Sequence, residues 1–196
     1  MTEQLLLLAE EIGFSHAGVF PAASLRALPE VREMCAAGRC RRYGKSWSCP
    51  PACGSLSETA ERMHRYQEGI LVQTTAELED DFDAENMALA ENRHKKSFMT
   101  FARQARSLCP DCLPLSAGTC TLCRSCTYPE KPCRFPAKRL SSMEAYGLLV
   151  SEVCTLSGLK YYYGPKTLTY SACLLYTKSG KDGNSVRSEE HTSEFQ

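Results

Sequence analysis

Twelve cysteines in 196 residues carry most of the chemistry open to this chain, and eight of them fall in two loops. The later loop reads Cys120-Thr121-Leu122-Cys123-Arg124-Ser125-Cys126, then Cys133-Arg134-Phe135-Pro136. Three thiols at two-residue intervals can wrap one corner of an iron–sulfur cube, each taking a different iron while backbone amides point at the sulfides. A ferredoxin-type loop shares this C-x2-C-x2-C core and places its fourth cysteine three residues on, before proline. Here six residues intervene before Cys133, which is the candidate fourth ligand at an unusual spacing. Zinc is the rival. Zinc loops usually hold two C-x2-C pairs a dozen or more residues apart, whereas Cys109/Cys112 and Cys120/Cys123 are separated by seven. The spacing favours an iron–sulfur cluster, [4Fe-4S] in form, with zinc as the alternative cofactor.

The earlier loop holds Cys35, Cys40, Cys49 and Cys53 as C-x4-C-x8-C-x3-C, among turn-forming residues that core packing does not explain. Pro50-Pro51 removes two backbone donors and stiffens the approach to Cys53. Arg39, Arg41, Arg42 and Lys45 surround the thiols; cations lower thiol pKa and offset the negative charge of a thiolate–metal centre. Tyr43 and Trp47 are expected to shield a metal from solvent. Basic residues interleaved with aromatics also suit single-stranded nucleic acid, but 23 basic against 23 acidic residues leave no wider excess to support that reading.

The remaining reactive side chains have plainer explanations. Cys154 and Cys173 lie in apolar runs and are expected to be core thiols. Cys109 and Cys112 have redox-pair spacing, but a strand rather than a helix follows them. His16, His64 and His94 have no partner at metal-binding spacing. The acids Glu79, Asp80, Asp81 and Asp83 read as a solvated helix start. There is no phosphate-binding Gly-rich loop, no dinucleotide fingerprint and no serine nucleophile elbow.

These loops need a scaffold, and hydrophobic periodicity supplies one. Helices are expected over 3–13, 24–37, from the Ser55–Glu58 capping box to about 66, and over 83–107. Ser141–Glu144 offers a second capping box, for a helix broken near Gly147 and resumed through Leu156. Strands are expected at His16–Phe20, Gly69–Ala76 and Leu113–Ala117, with Tyr161–Tyr163 and Thr167–Tyr176 as a terminal hairpin. The fold class is α/β: a mixed sheet flanked by helices, with two cysteine-rich metal-binding loops and a C-terminal β-hairpin at the sheet edge. Residues 1–176 form one domain and 177–186 a polar tail. Residues 187–196 (RSEEHTSEFQ) look like a translated sequencing adapter rather than native chain, so His191 carries no weight as a ligand.

A composition of 43% hydrophobic and 23% charged residues is globular, and zero net charge pulls the protein onto neither nucleic acid nor membrane. No run is long enough to span a bilayer, and the opening MTEQLLLLAEEIGF reads as an amphipathic helix instead of a signal peptide. A cytoplasmic location is expected, where dense cysteine points to metal or redox chemistry before disulfides.

The segment Cys40-Arg41-Arg42-Tyr43-Gly44-Lys45-Ser46-Trp47-Ser48-Cys49-Pro50-Pro51 fits the signature C-x2-Y-G-x2-W-x-C-P-P, and CTLCRSCTYPEKPCRFPAKRLSSMEAYGLLVSEV fits a second. Together they resemble an uncharacterised family of predicted cysteine-rich metal-binding proteins of anaerobic bacteria and archaea, over roughly residues 3–176. The resemblance implies cysteine-based metal binding in an anaerobic cytoplasm and no particular reaction. It carries over Cys35, Cys40 and Cys49, and Cys120, Cys123, Cys126 and Cys133, as candidate ligands; Cys53 stands on its place in the loop.

The leading functional expectation is one or two clusters serving electron transfer or a linked redox reaction, with a redox partner protein. A zinc protein acting as a structural or adaptor module is the alternative. Whether the chain is an enzyme stays open: four protein ligands would close a site, and three would leave a coordination position free. Four thiols per loop suit two neighbouring centres. Loops at the ends of parallel strands would meet at one edge of the sheet. Cys53 then decides whether the first centre is closed or open.

Overall fold

The computed structural model describes residues 1–37 and 40–178; the expected adapter segment and most of the polar tail lie outside them. The elements run α1 (Thr2–Ile12), β1 (His16–Pro21), α2 (Pro29–Ala36), α3 (Leu56–Met63), β2 (Glu68–Glu77), α4 (Ala84–Leu108), β3 (Cys112–Ser116), β4 (Ser141–Ser142), α5 (Val150–Leu156) and β5 (Thr167–Tyr176). Single 3-10 turns cover Ala22–Ser24 and Glu144–Tyr146.

The strands form one mixed sheet in the order β1-β2-β5-β3-β4. β2 is antiparallel to β1 and β5, β5 is antiparallel to β3, and only β3 and β4 run parallel. Alternation along the central strands divides two apolar layers. Ile70, Val72, Ala172, Leu174 and Tyr176 meet Leu5 and Ala9 of α1 and Phe98, Phe101 and Ala105 of α4. Leu71, Cys173 and Leu175 face the other way, against Met63 of α3, Val153 and Cys154 of α5, and Met143 and Tyr146. Burial of such side chains, about 1.5–3 kcal/mol each, is what holds the layers together.

Local signals explain most boundaries. The Ser55 hydroxyl accepts from Glu58 N at 3.2 Å while Ser55 N donates to the Glu58 carboxylate at 2.7 Å, which closes the expected capping box of α3. Asp83 accepts from Asn86 N at 3.1 Å and opens α4. The acidic run before it is the expected helix start: Asp83 and Asp80 also accept from Glu79 N and Phe82 N at 2.9 and 2.7 Å.

Three expectations are corrected. The second helix begins at Pro29, not at residue 24, because proline disfavours a helical conformation in Leu28, which is extended at φ −96°, ψ 125°. Ser141 and Ser142 form β4 instead of a capping box; the Ser142 hydroxyl accepts from Ala145 N at 3.1 Å, and Gly147 at φ 79° ends the 3-10 turn. The terminal hairpin is absent among the described residues. β5 lies inside the sheet with β2 and β3 occupying both of its edges, so Tyr161–Tyr163 has no strand to pair with. Tyr163 instead stacks on His16, ring centroids 4.2 Å apart, and donates to Gln73 Oε1 at 2.8 Å. No helix among the described residues is long and apolar enough to cross a membrane.

Candidate metal centre

The two cysteine loops meet, although not for the reason parallel strands would give. The second loop leaves the end of β3 and returns as β4, alongside it. The 3-10 turn after β4 packs against α2, which leads into the first loop. Leu28 N donates to Gly147 O at 2.8 Å and ties the start of α2 to that turn. Where the loops touch, the buried Ser48 hydroxyl accepts from Cys120 N at 3.3 Å and lies 3.0 Å from the Ser46 hydroxyl. Trp47 Nε1 donates to Lys131 O at 3.1 Å, and its ring stands edge-on to Tyr128.

Cys120, Cys123, Cys126 and Cys133 line one hollow, together with Trp47 from the first loop. Its room is about 20 Å³, that of a single water or ion. Arg42, Arg134 and Arg139 also line it and would offset thiolate charge. Arg134 is held by a 2.9 Å bond to Ser125 O. Burial pushes the Cys120 thiol up. Burial acts on Cys126 too, but the Trp47, Tyr128 and Thr127 amides and the Ser46 hydroxyl outweigh it and hold that thiol below its ordinary value. Donors from both loops thus lower the pKa of the Cys126 thiol.

Cys35, at the end of α2, lines a separate hollow of about 300 Å³ with Cys40 and Cys49. Tyr43, Val31 and Met34 give it apolar walls. Burial, then the charge of Cys40 and of Glu144, pushes the Cys35 thiol up to about 11. Cys53 does not join this hollow. It is buried, donates to Ala145 O at 3.5 Å, and faces a different space that Arg62 and Cys112 also line. The first set therefore has three thiols and the second four. Among the described residues, no three His, Cys, Asp or Glu side chains converge as tightly as one metal ion would require.

Two residues beside the first set escaped sequence reasoning. Glu144 Oε2 and Arg32 Nε are buried without hydrogen-bond partners, and both charges act on Cys35. Glu144 reads in sequence as a capping residue, and nothing in its context marks it as a neighbour of cysteines. The other thiols and imidazoles lie elsewhere. Cys154 and Cys173 are fully buried in the apolar layer. Burial, with the neighbouring Cys112 charge, pushes the Cys109 thiol up to about 12, and it donates to Ala105 O at 3.1 Å. His94 is buried among aromatic rings with Nδ1 2.9 Å from the Thr74 hydroxyl, and His64 Nε2 lies 3.4 Å from Leu25 O.

A mixed sheet flanked by helices and carrying two abutting cysteine loops defines a cysteine-rich α/β protein. The chain belongs to the predicted metal-binding protein family DUF2284, whose profile matches residues 18–176. No curated protein and no solved structure matches it.

Proposed function

We propose that this protein is an iron–sulfur protein with two neighbouring centres, acting in electron transfer or a linked redox reaction in the cytoplasm. The observation that carries the reading is the common hollow of Cys120, Cys123, Cys126 and Cys133, in the spacing that lets thiolates take different irons of one cluster. Thiolates on one zinc ion at about 2.3 Å must lie about 4 Å apart, whereas those on a cube are spread wider, and the C-x2-C-x2-C spacing suits the cube. A cluster bound there would supply one-electron chemistry. The amides and the Ser46 hydroxyl at Cys126 would hold charge on its sulfur, and Trp47 would exclude water. The segment between β3 and β4, which holds no helix or strand, is the part that would open to admit a cluster.

Cys35, Cys40 and Cys49 would hold the first centre and leave it open on the side of the larger hollow, where a substrate could enter. An electron-carrying second set beside an open first set is the arrangement of a redox enzyme with its own relay. The tight second hollow favours a second reading, a zinc site that only stabilises the loops. Anaerobic purification followed by a visible spectrum and iron, sulfide and zinc analysis tests both. Brown protein with iron and acid-labile sulfide is expected; stoichiometric zinc without either overturns the iron–sulfur reading.

A further inference from the structure

Arg62 of α3, Arg106 of α4 and Arg139 near the end of the second loop all line one half-open hollow of about 300 Å³. No Asp or Glu lines it. Among the described residues none of the three guanidiniums forms an ion pair with a carboxylate. Two nearby acids stay outside the lining: Asp111 accepts from the Tyr66 hydroxyl at 3.3 Å, and Glu58, on which the Arg62 charge acts, accepts from Ser55 N at 2.7 Å.

Three like charges around one space repel each other. An anion in the hollow converts the repulsion into attraction. Arg62 is already oriented: it donates to Glu58 O at 3.3 Å, to Cys53 O at 2.8 Å and to the Tyr146 hydroxyl at 3.1 Å, and its guanidinium lies 5.5 Å from the Tyr146 ring centroid. Because that hydroxyl accepts from Arg62, its own hydrogen is free to donate. Ser141 also lines the hollow. Planar guanidinium forks and hydroxyl donors match the several oxygens of a phosphate.

We propose that this hollow binds a phosphate group, free or carried on a small organic molecule. The site does not depend on which metal the cysteines hold. Arg139 lines both this hollow and that of the four-cysteine set, so a phosphate-bearing ligand is placed one side chain away from the second centre.

Calorimetric titration of the full chain, purified anaerobically and held at constant ionic strength with chloride, tests the site. The probes are inorganic phosphate, glycerol phosphate and succinate. Saturable binding of a phosphate probe, stronger than that of succinate, is expected. Arg106→Gln should weaken it at least about tenfold, the loss of one charge-assisted contact, while Arg93→Gln, on an exposed part of α4, should not. Arg106 is the first choice because it is exposed, whereas Arg62→Gln also removes bonds to Cys53 O and Glu58 O and could fail to fold. Metal analysis of each sample separates loss of a centre from loss of the arginine. Tighter binding of glycerol phosphate supports an organic phosphate, and equal binding supports the free ion. Absence of saturable phosphate binding, equal binding of succinate, or unchanged affinity in both Arg106→Gln and Arg139→Gln overturns the proposal.

Discussion

The Cys49 thiol lies 3.5 Å from the Thr119 hydroxyl, across 70 positions of sequence. Cys49 belongs to the three-thiol set; Thr119 lines the same hollow and immediately precedes Cys120 of the four-thiol set. The two sets are therefore adjacent through one contact, reinforced by Ser48, whose hydroxyl lies 3.8 Å from the Cys49 sulfur while accepting from Cys120 N.

Ser48→Ala tests this seam. The change leaves Cys120 N without its acceptor in a partly buried place, a loss of about 1–3 kcal/mol. A lower denaturant midpoint with an unchanged m-value is expected, together with faster amide exchange at Cys120. Wild-type protection at that amide would show that the seam contributes nothing.

Separate alanine variants should sort ligands from spectators. Cys123→Ala is expected to lower metal content by emptying the second set. Cys154→Ala and Cys173→Ala should retain wild-type metal and cost about 1–2 kcal/mol each from lost packing. Cys53→Ala belongs with this second group, because its thiol lines a different hollow from that of Cys35, Cys40 and Cys49. Elemental analysis after anaerobic purification decides; metal loss in Cys53→Ala would return that residue to the first centre.

His94 makes stability depend on pH. Burial, with a smaller contribution from the Lys95 charge, lowers its pKa from 6.5 to about 4. The unfolded chain therefore takes up this proton first as pH falls. The contribution is fully present above about 6.5, and about 3 kcal/mol is lost as pH drops to about 4. Urea unfolding between pH 7 and pH 4 should show a steeper loss in wild type than in His94→Gln. Parallel curves would mean that His94 is protonated in the fold without penalty.

Where a few neighbouring residues settle the outcome, the structure was legible in the sequence. The α3 capping box, the Asp83 start of α4 and the apolar run of β2 need only local propensity and pattern. The membership of Cys120, Cys123, Cys126 and Cys133 in one hollow likewise agrees with their spacing. Sheet order is different. Nothing within Thr167–Tyr176 says that it inserts between β2 and β3, because strand choice is made by long-range burial of Cys173 and Leu175 on one face and Leu174 and Tyr176 on the other. Glu144 and Arg139 were illegible for the same reason: they approach cysteines and arginines only after β4 has been laid beside β3.

The placement of β5 also makes the candidate site depend on the end of the domain. β1 and β2 form an antiparallel pair, β3 and β4 a parallel one, and within the sheet only the last strand joins them. Without residues 167–176 each cysteine loop belongs to a separate half of the sheet, the first lying between β1 and β2 in the chain and the second between β3 and β4. A site formed where the loops meet thus depends on a strand that contributes none of its cysteines, because β5 locks the two halves of the sheet together.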